Sequence, residues 1–387
     1  MDNKKPTLHV ITKYFLPVSG GIENNIFQTH RNLVNRHGWN VIIHTSTDSY
    51  LKKDCFPRNE ELDGLKIKRY QSNIFGFMAN INWQEADVVA LHNFDIFFLR
   101  YLLVFLLHKI TGKKNYKTIL SPHGGFNPKW SMFSLQERIV KFLYTYTLGA
   151  LLVNLAIDKI RTVSQWEKNA MSPHIRKSLL TTIDNGLEDE AYLDIDSIAT
   201  EKIKKEVENY GLYFVQVARI YSIKNIETAI LAMLYIPKNI KFIVLGEVQD
   251  IKYKEKLIKL AKDKGLSDRV IFAGIIKGVD KYYLMKHAFA MVHMALWESY
   301  CNVVREGMSQ GLPCIVSDSF ALPHLIRNGI NGFNLPAKNY VLVAEKLNWI
   351  LSPENKSEVV QIKKRNVEFG KNNSWVNVAA QLNNLYR

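Results

Sequence analysis

A chain of 387 residues, 47% hydrophobic and 22% charged, has the composition of a folded protein of two or three domains. That excludes disorder, collagen and a repeat array, since no period of ~20–50 residues recurs. The net charge of +15 favours phosphates, other polyanions or an anionic membrane surface without choosing among them. The three cysteines, Cys55, Cys301 and Cys314, form no C-x-x-C pair, which excludes a disulfide framework and a zinc finger and fits a reducing cytoplasm. The opening MDNKKPTLHVITKYF runs into a strand-like segment and has no secretory signal pattern.

Strands are predicted at Leu8–Phe15, Val41–Ser46, Leu65–Tyr70, Asp87–His92, Thr118–Pro122 and Lys159–Val163. Helical patterns lie between them, such as Ile22–Arg36, where Ile22, Ile26, Leu33 and Val34 share a face and Gly38 stops the helix. The most apolar run, Ile96 to Ile110, is interrupted by Arg100 and falls short of the ~20 residues of a membrane span. It reads as a buried helix of a soluble or peripheral protein. From Glu188 to Tyr210 the chain is charged and strand-poor, and it is predicted to be an inter-domain segment. Alternation restarts at Tyr213–Arg219 and continues through Lys241–Gly246, Val270–Gly274, Phe289–Met294, Pro313–Ser317 and Gly332–Leu335, with a last helical stretch near Val376–Leu385. Short apolar strands alternating with helices specify doubly wound parallel sheets, which bind ligands beyond the carboxyl ends of their strands.

The densest chemistry lies in the second half. Glu298 and Glu306 stand eight positions apart across a predicted strand-to-helix junction. Between them the amides near Cys301, Asn302 and Val303 open a helix, a place where an anion is welcome. A carboxylate farther into the helix suits a pair of neutral hydroxyls, such as a ribose diol. Arg219 and Lys224 bracket the loop after the first strand of this half, where two cations can neutralise a diphosphate. In the first half, Gly20 and Gly21 join the first strand to the first helix and allow close backbone approach, yet do not spell a dinucleotide fingerprint. Ordinary surface glutamates, solvated cations and a ligand-free turn explain each of these pieces taken singly.

In this order the pieces resemble the retaining glycosyltransferases of family 4, over nearly the whole chain. Arg219-x4-Lys224 is similar to that family's diphosphate pair, and Glu298 to Glu306 to its E-x7-E motif. Gly311-Leu-Pro-Cys-Ile-Val-Ser-Asp318 and Asn328-Gly-Ile-Asn-Gly-Phe333 have its usual wording, and Asp184-Asn-Gly186 resembles the turn before its linker. Val270 to Ile276 resembles the strand and loop that receive the nucleotide base. Ser121-Pro-His123-Gly124-Gly125 resembles its His-Gly motif at the donor sugar, with His92 as the reserve histidine. The departures are Tyr300-Cys301 where the family has Phe-Gly, Gly307 where it has Ala, and Phe320-Ala321 in place of a glycine pair.

The resemblance implies an α/β GT-B fold, two Rossmann-like doubly wound domains facing each other across a cleft. The expected divisions are an acceptor-side domain 1–187, a linker 188–210, a nucleotide-sugar domain 211–365, and a C-terminal helix 366–387 returning to the first domain. The implied activity is retaining, metal-independent hexosyl or hexosaminyl transfer in surface polysaccharide, lipopolysaccharide or glycolipid assembly. Its donor would be a UDP-sugar, or alternatively a GDP-sugar, with no further cofactor. By carry-over Glu306 holds the ribose, Glu298 a sugar hydroxyl, and His123 orients the sugar; Arg219, Lys224 and the Asn302 amides stabilise the departing diphosphate. The alternatives are a nucleotide-sugar epimerase of the same fold and a non-catalytic partner subunit. A nucleic-acid partner is not expected, because no reading module is present. Asp194-Ile-Asp196 spells a metal-binding D-x-D, yet lies in the charged segment and reads as chance. Residues 101–150 carry seven Lys/Arg and one acid. There Lys109, Lys113, Lys114 and Lys117 are expected to dock on anionic lipid, at the cytoplasmic face of a membrane.

Overall fold

The structure is a computed structural model that describes residues 4–18, 20–49, 52–73, 76–371 and 374–387. Ser19, within the predicted glycine turn, and residues 372–373, beside the predicted last helix, lie outside the described residues. The chain divides into two compact units, Met1–Gly186 with Trp375–Arg387, and Leu187–Ser374.

The first unit is built on strands β1 (Thr7–Thr12), β2 (Asn40–Ser46), β3 (Asn59–Leu62), β4 (Leu65–Tyr70), β5 (Val88–His92), β6 (Lys117–Ser121), β7 (Lys159–Thr162) and β8 (Leu180–Thr182). Their order is β3-β4-β2-β1-β5-β6-β7-β8, parallel except for β3. Every residue of β1 and β5 is buried, as expected of parallel strands covered on both faces. β3 escapes a pattern reading because it is a polar edge strand. It turns back on β4 through Asp63 and Gly64, both at positive φ. Helices α1 (Gly21–His37), α2 (Leu99–Ile110), α3 (Leu135–Leu143), α4 (Gly149–Ala156) and α5 (Gln165–Met171) connect the strands. A π-turn, Tyr144–Leu148, joins α3 to α4 without a break. The Ile96–Ile110 run is only half buried: Tyr101, Leu102 and Phe105 enter the core, whereas Leu103, Leu107 and Ile110 stay exposed.

The second unit opens with α6 (Ile195–Ile198) and α7 (Glu201–Tyr210), followed by β9 (Tyr213–Val217), α8 (Ile226–Ala232), β10 (Lys241–Leu245), α9 (Ile251–Asp263), β11 (Val270–Gly274), α10 (Gly278–His287) and β12 (Ala290–His293). After these come α11 (Asn302–Ser309), β13 (Cys314–Ser317), α12 (Leu322–Leu325), β14 (Gly332–Leu335), α13 (Tyr340–Leu351) and α14 (Lys356–Lys371). The order β11-β10-β9-β12-β13-β14, all parallel, is the dinucleotide-fold arrangement, and its direction reverses between β9 and β12. Residues 188–210 are not a linker. Ile195, Ile203 and Val207 lie in this unit's core while the charged positions face outward, and Thr200 donates to Asp280 of α10 at 2.8 Å. The segment looked like a linker because an amphipathic surface helix carries its charge on the outside.

The end of the chain also divides differently from the expectation at 366. α14 continues to Lys371 within the second unit, and the return to the first begins at Trp375, where α15 (Trp375–Tyr386) packs against α1. Trp375 is buried against Gly186, where an added Cβ would lie 2.5 Å from the Trp375 nitrogen, so a side chain is not tolerated at that turn. The Lys117 ammonium donates to the Leu385 carbonyl at 2.8 Å, and the Trp39 indole N–H to Asn383 at 2.9 Å.

Candidate active site

In the second unit the loops after β9 and β12 leave the sheet at its reversal point, the place where a doubly wound sheet opens a crevice. The first carries Arg219 and Lys224. Gly246, at the end of β10, lets that loop approach, since a Cβ there would strike the Ala218 carbonyl at 1.9 Å. Asn225 ends the loop in the left-handed region (φ 49°), a conformation asparagine tolerates. Its amide donates to the Met294 carbonyl at 2.8 Å, stapling the Lys224 turn to the end of β12. Arg219 is partly exposed, its guanidinium 5.5 Å from the Tyr221 ring.

The second loop carries Glu298. Its carboxylate oxygen Oε1 is 2.5 Å from the Lys224 ammonium and 2.8 Å from His293 Nε2. Burial works to raise the Glu298 pKa, but Lys224 and His293 outweigh it and hold the carboxyl at about 2. Lys224 and Glu298, expected to serve diphosphate and sugar separately, are therefore an ion pair. His293 was missed. The only signal was a histidine closing an apolar strand, which more often marks core packing.

Cys301 then caps α11 at φ 73°, in the left-handed region that a glycine would occupy freely. Its side chain gives the helix no capping hydrogen bond, and burial pushes its thiol well above the usual range. The amides of Asn302 and Val303 thus begin an eight-residue helix that no side chain of its cap closes. Such an end attracts an anion. Glu306 lies in the second turn of α11, buried, 3.0 Å from the Lys281 ammonium, which also reaches Glu188 at 3.1 Å. Burial pushes Glu306 upward; Lys281 opposes the rise and the Glu188 carboxylate adds to it. Lys281 and Glu188 were likewise missed, because nothing in their spacing ties them to Glu306. Ile276 leans partly buried on the core of its own unit, whereas Ile275 beside it is exposed.

His293, Glu298 and Cys301 are the one group among the described residues with metal-ligand geometry, their ligand atoms within 4.8 Å of one another. The set does not fit a cation. The Lys224 ammonium already neutralises the carboxylate, and the thiol is held in its protonated form. Asp196 of the D-x-D spelling faces Lys286 at 2.6 Å and His287 at 3.1 Å, an ordinary surface ion pair.

In the first unit the named residues also gather at carboxyl strand ends. Gly20 and Gly21 follow β1, His92 ends β5 and His123 follows β6. Gly20 is fully extended, a conformation open to any residue, and an added Cβ on Gly21 would meet nothing within 4 Å. His123 is buried at φ 52°, with His92 Nδ1 at 2.9 Å from its Nε2. Burial pulls His123 down to about 3, helped by Arg161 and His30, so the imidazole pair is neutral at physiological pH. One nitrogen of that contact therefore donates and the other accepts. Arg161, wholly buried, donates to the Ile183 carbonyl at 3.1 Å and to Asn25 Oδ1 at 3.0 Å. Glu167 ties the loop down, accepting from the backbone N–H of Gly124 and, at 2.8 Å, of Val163. Burial raises its pKa to about 7. Ser164-x-x-Glu167 is a capping-box spelling, and that was the available signal for this carboxyl.

Residues 198–367 match the family described as glycosyl transferases group 1. An uncharacterized glycosyltransferase of Methanocaldococcus jannaschii, MJ1069, is 24% identical over 86% of both chains. Among solved structures, Anabaena HepE in complex with UDP and glucose superposes with a TM-score of 0.73 at 17% identity, covering 98% of this chain and 99% of its own. WaaG, a glycosyltransferase involved in lipopolysaccharide biosynthesis, does so at 0.67 and 13%, covering 98% and 99%. Residues 198–367, which hold Arg219, Lys224, Glu298 and Glu306, thus match the glycosyl transferases of group 1, and the chain as a whole has the GT-B fold.

Proposed function

We propose that the protein is a retaining, metal-independent glycosyltransferase of family 4. It moves a hexosyl or hexosaminyl group from a UDP-sugar, or a GDP-sugar, to an acceptor hydroxyl in surface polysaccharide or glycolipid assembly. One observation carries the reading. Two cations, Arg219 and Lys224, and the N-terminal end of α11 lie at the reversal point of a dinucleotide-type sheet. This is a site for a diphosphate, and the HepE structures with UDP and UDP-glucose favour uridine as its nucleoside.

Glu306 would accept from the ribose hydroxyls. The incoming diphosphate competes with Glu298 for Lys224, and a Glu298 released from its partner is free to accept from a sugar hydroxyl. As the bond between the anomeric carbon and the β-phosphate oxygen breaks, the new negative charge falls on groups already positioned to receive it. The acceptor oxygen bonds the same carbon from the same face, and its proton passes to the departing phosphate. His123 would orient the donor sugar, and the Gly20–Gly21 turn would let the backbone approach a phosphate closely. The chain would work in the cytoplasm.

The test is a panel of UDP- and GDP-sugars read by calorimetry, followed by transfer assays with and without EDTA and NMR of the product anomer. Retained configuration with EDTA-insensitive turnover is expected. An inverted product, or activity lost to EDTA and restored by Mg²⁺, overturns the mechanism. Epimerised donor formed without acceptor overturns the reaction class.

A further inference from the structure

The buried Glu306 carboxylate shares its cation with a second acid. The Glu306 and Lys281 side chains, 8% and 12% exposed, meet at 3.0 Å through Glu306 Oε2. The same ammonium reaches Glu188 Oε2 at 3.1 Å, at the entry to the 189–192 turn. The trio therefore sets one positive charge against two negative ones, and Glu190 of the turn adds to the negative side. Two carboxylates so close together cannot both stay ionised without a cation between them. Lys281 is that cation. Burial works to lower its pKa, yet Glu306 and Glu188 outweigh burial and hold the ammonium above its ordinary range.

The fold has no evident need of this lysine. Helix α10 is already anchored in the core by Tyr282, Leu284 and Met285. Burying a lysine with two acids costs desolvation that an apolar side chain would avoid, so stability alone is a weak reason for the trio. The site supplies a better one. We propose, resting on the assignment of Glu306 to the ribose, that Lys281 is a positioning residue of the nucleotide site. It keeps Glu306 ionised and holds Oε2, so that Oε1 accepts from the ribose diol, while Glu188 fixes the ammonium from its other side.

The chemistry follows from shared charge. A protonated Glu306 would carry a donor on one oxygen and accept more weakly on the other. An ionised Glu306 beside Glu188 alone would be repelled. With Lys281 in place, the negative charge left over favours hydroxyl donors and disfavours a further phosphate. The other groups around Glu306 cannot replace Lys281. Burial and the neighbouring carboxylates keep Tyr282 of α10 a neutral phenol. Arg305, on the same helix as Glu306, lies over the rings of Tyr300, at 5.1 Å, and Phe369 of α14, at 4.8 Å.

The test is calorimetric titration of the full chain with uridine diphosphate and with 2′,3′-dideoxyuridine diphosphate, which lacks the diol. The variants are Lys281→Met, Lys281→Arg, Glu188→Gln and Glu306→Ala, each first shown to unfold thermally like the parent. Lys281→Met should bind uridine diphosphate about tenfold more weakly at pH 7.5, the difference between a charged and a neutral acceptor. Lys281→Arg, which restores a cation, should bind it more tightly than Lys281→Met. Toward the dideoxy probe both should match the parent. The pH profile supplies a second readout. Relative to the parent, binding should fail at higher pH in Lys281→Met and persist to lower pH in Glu188→Gln, which removes a repelling charge. A lysine that serves only the fold would move neither the profile nor the preference for the diol, and that result overturns the proposal. So does a Lys281→Met variant that loses both probes equally. If Lys281→Met does not fold, the shift in Glu188→Gln decides. Parental affinity for uridine diphosphate in Glu306→Ala overturns the ribose assignment and this role of Lys281 together. Loss in Glu306→Ala with none in Lys281→Met overturns the role of Lys281 alone.

Discussion

Removing Lys224 should expose how strongly it holds Glu298. The carboxyl sits at about 2 against an ordinary 4.5, although burial alone would raise it. Each side chain of the pair is nearly nine-tenths buried, so solvent screens the interaction little. The gap between the two values, the net of burial against Lys224 and His293 together, corresponds to ~3 kcal/mol at neutral pH and sets the scale of the Lys224 contact. The sign follows from the depressed carboxyl: the contribution is complete above pH 4.5 and is lost as pH falls through about 2. At pH 3 about 1 kcal/mol should remain. A double-mutant cycle of Lys224→Met, Glu298→Gln and the combined variant isolates this coupling. Urea unfolding followed by circular dichroism supplies the free energies. The expected coupling is ~3 kcal/mol at pH 7, declining toward ~1 kcal/mol at pH 3. Each single variant should be less stable than the double, because each strands a buried partner. A coupling below ~0.5 kcal/mol at pH 7, the scale of an exposed pair, would refute the reasoning.

Glu306→Ala should weaken uridine diphosphate binding by ~10–100-fold, the worth of a hydrogen bond to a charged acceptor. Glu298→Ala should leave that affinity unchanged or tighter, because it frees Lys224; equal losses in both variants by calorimetry would sink the division of roles. Cys301→Gly should be more stable than Cys301→Ala by about 1 kcal/mol, because both lose the thiol from the core but only glycine escapes the strain of φ 73°. Thermal unfolding that ranks alanine equal or higher would contradict this. Glu167 titrates near 7 when folded, so its protonated form stabilises the fold below the ordinary 4.5, and that contribution is lost as pH rises through 7. Parent minus Glu167→Gln stability should therefore fall by ~3 kcal/mol between pH 4.5 and 7.5; a flat difference would show that burial does not perturb this carboxyl.

The strands were legible because parallel strands covered on both faces are mostly apolar, and every residue of β1, β5, β9 and β12 is buried. β3 was not legible, since an edge strand carrying Asn59, Glu60 and Glu61 has no apolar alternation to detect. Residues 188–210 were misread for a related reason: four buried apolar side chains specify their packing, but the charges dominate the composition. α3 was overlooked because its apolar residues, which stay exposed, are interleaved with Gln136, Glu137, Arg138 and Lys141, which breaks the run.

In the site, sequence spacing was enough to put Arg219, Lys224, Glu298 and Glu306 at strand ends and a helix start. Those positions follow from local chain geometry, a loop of fixed length leaving a strand and a helix of fixed pitch. What each side chain faces depends on which strands lie side by side. That Glu298 meets Lys224, 74 residues away, follows from β9 and β12 being neighbours at the reversal of the sheet. That Lys281 stands between Glu188 and Glu306 follows from α10 packing against both α11 and the 189–192 turn. The sequence by itself determined the alternating α/β architecture, two doubly wound sheets and the chemical character of the site, because each is written in residues close together along the chain. Only the tertiary structure decided the partners of the carboxylates, the return of the chain at Trp375 and the exposed face of α3, because burial and charge pairing join residues that the chain keeps far apart.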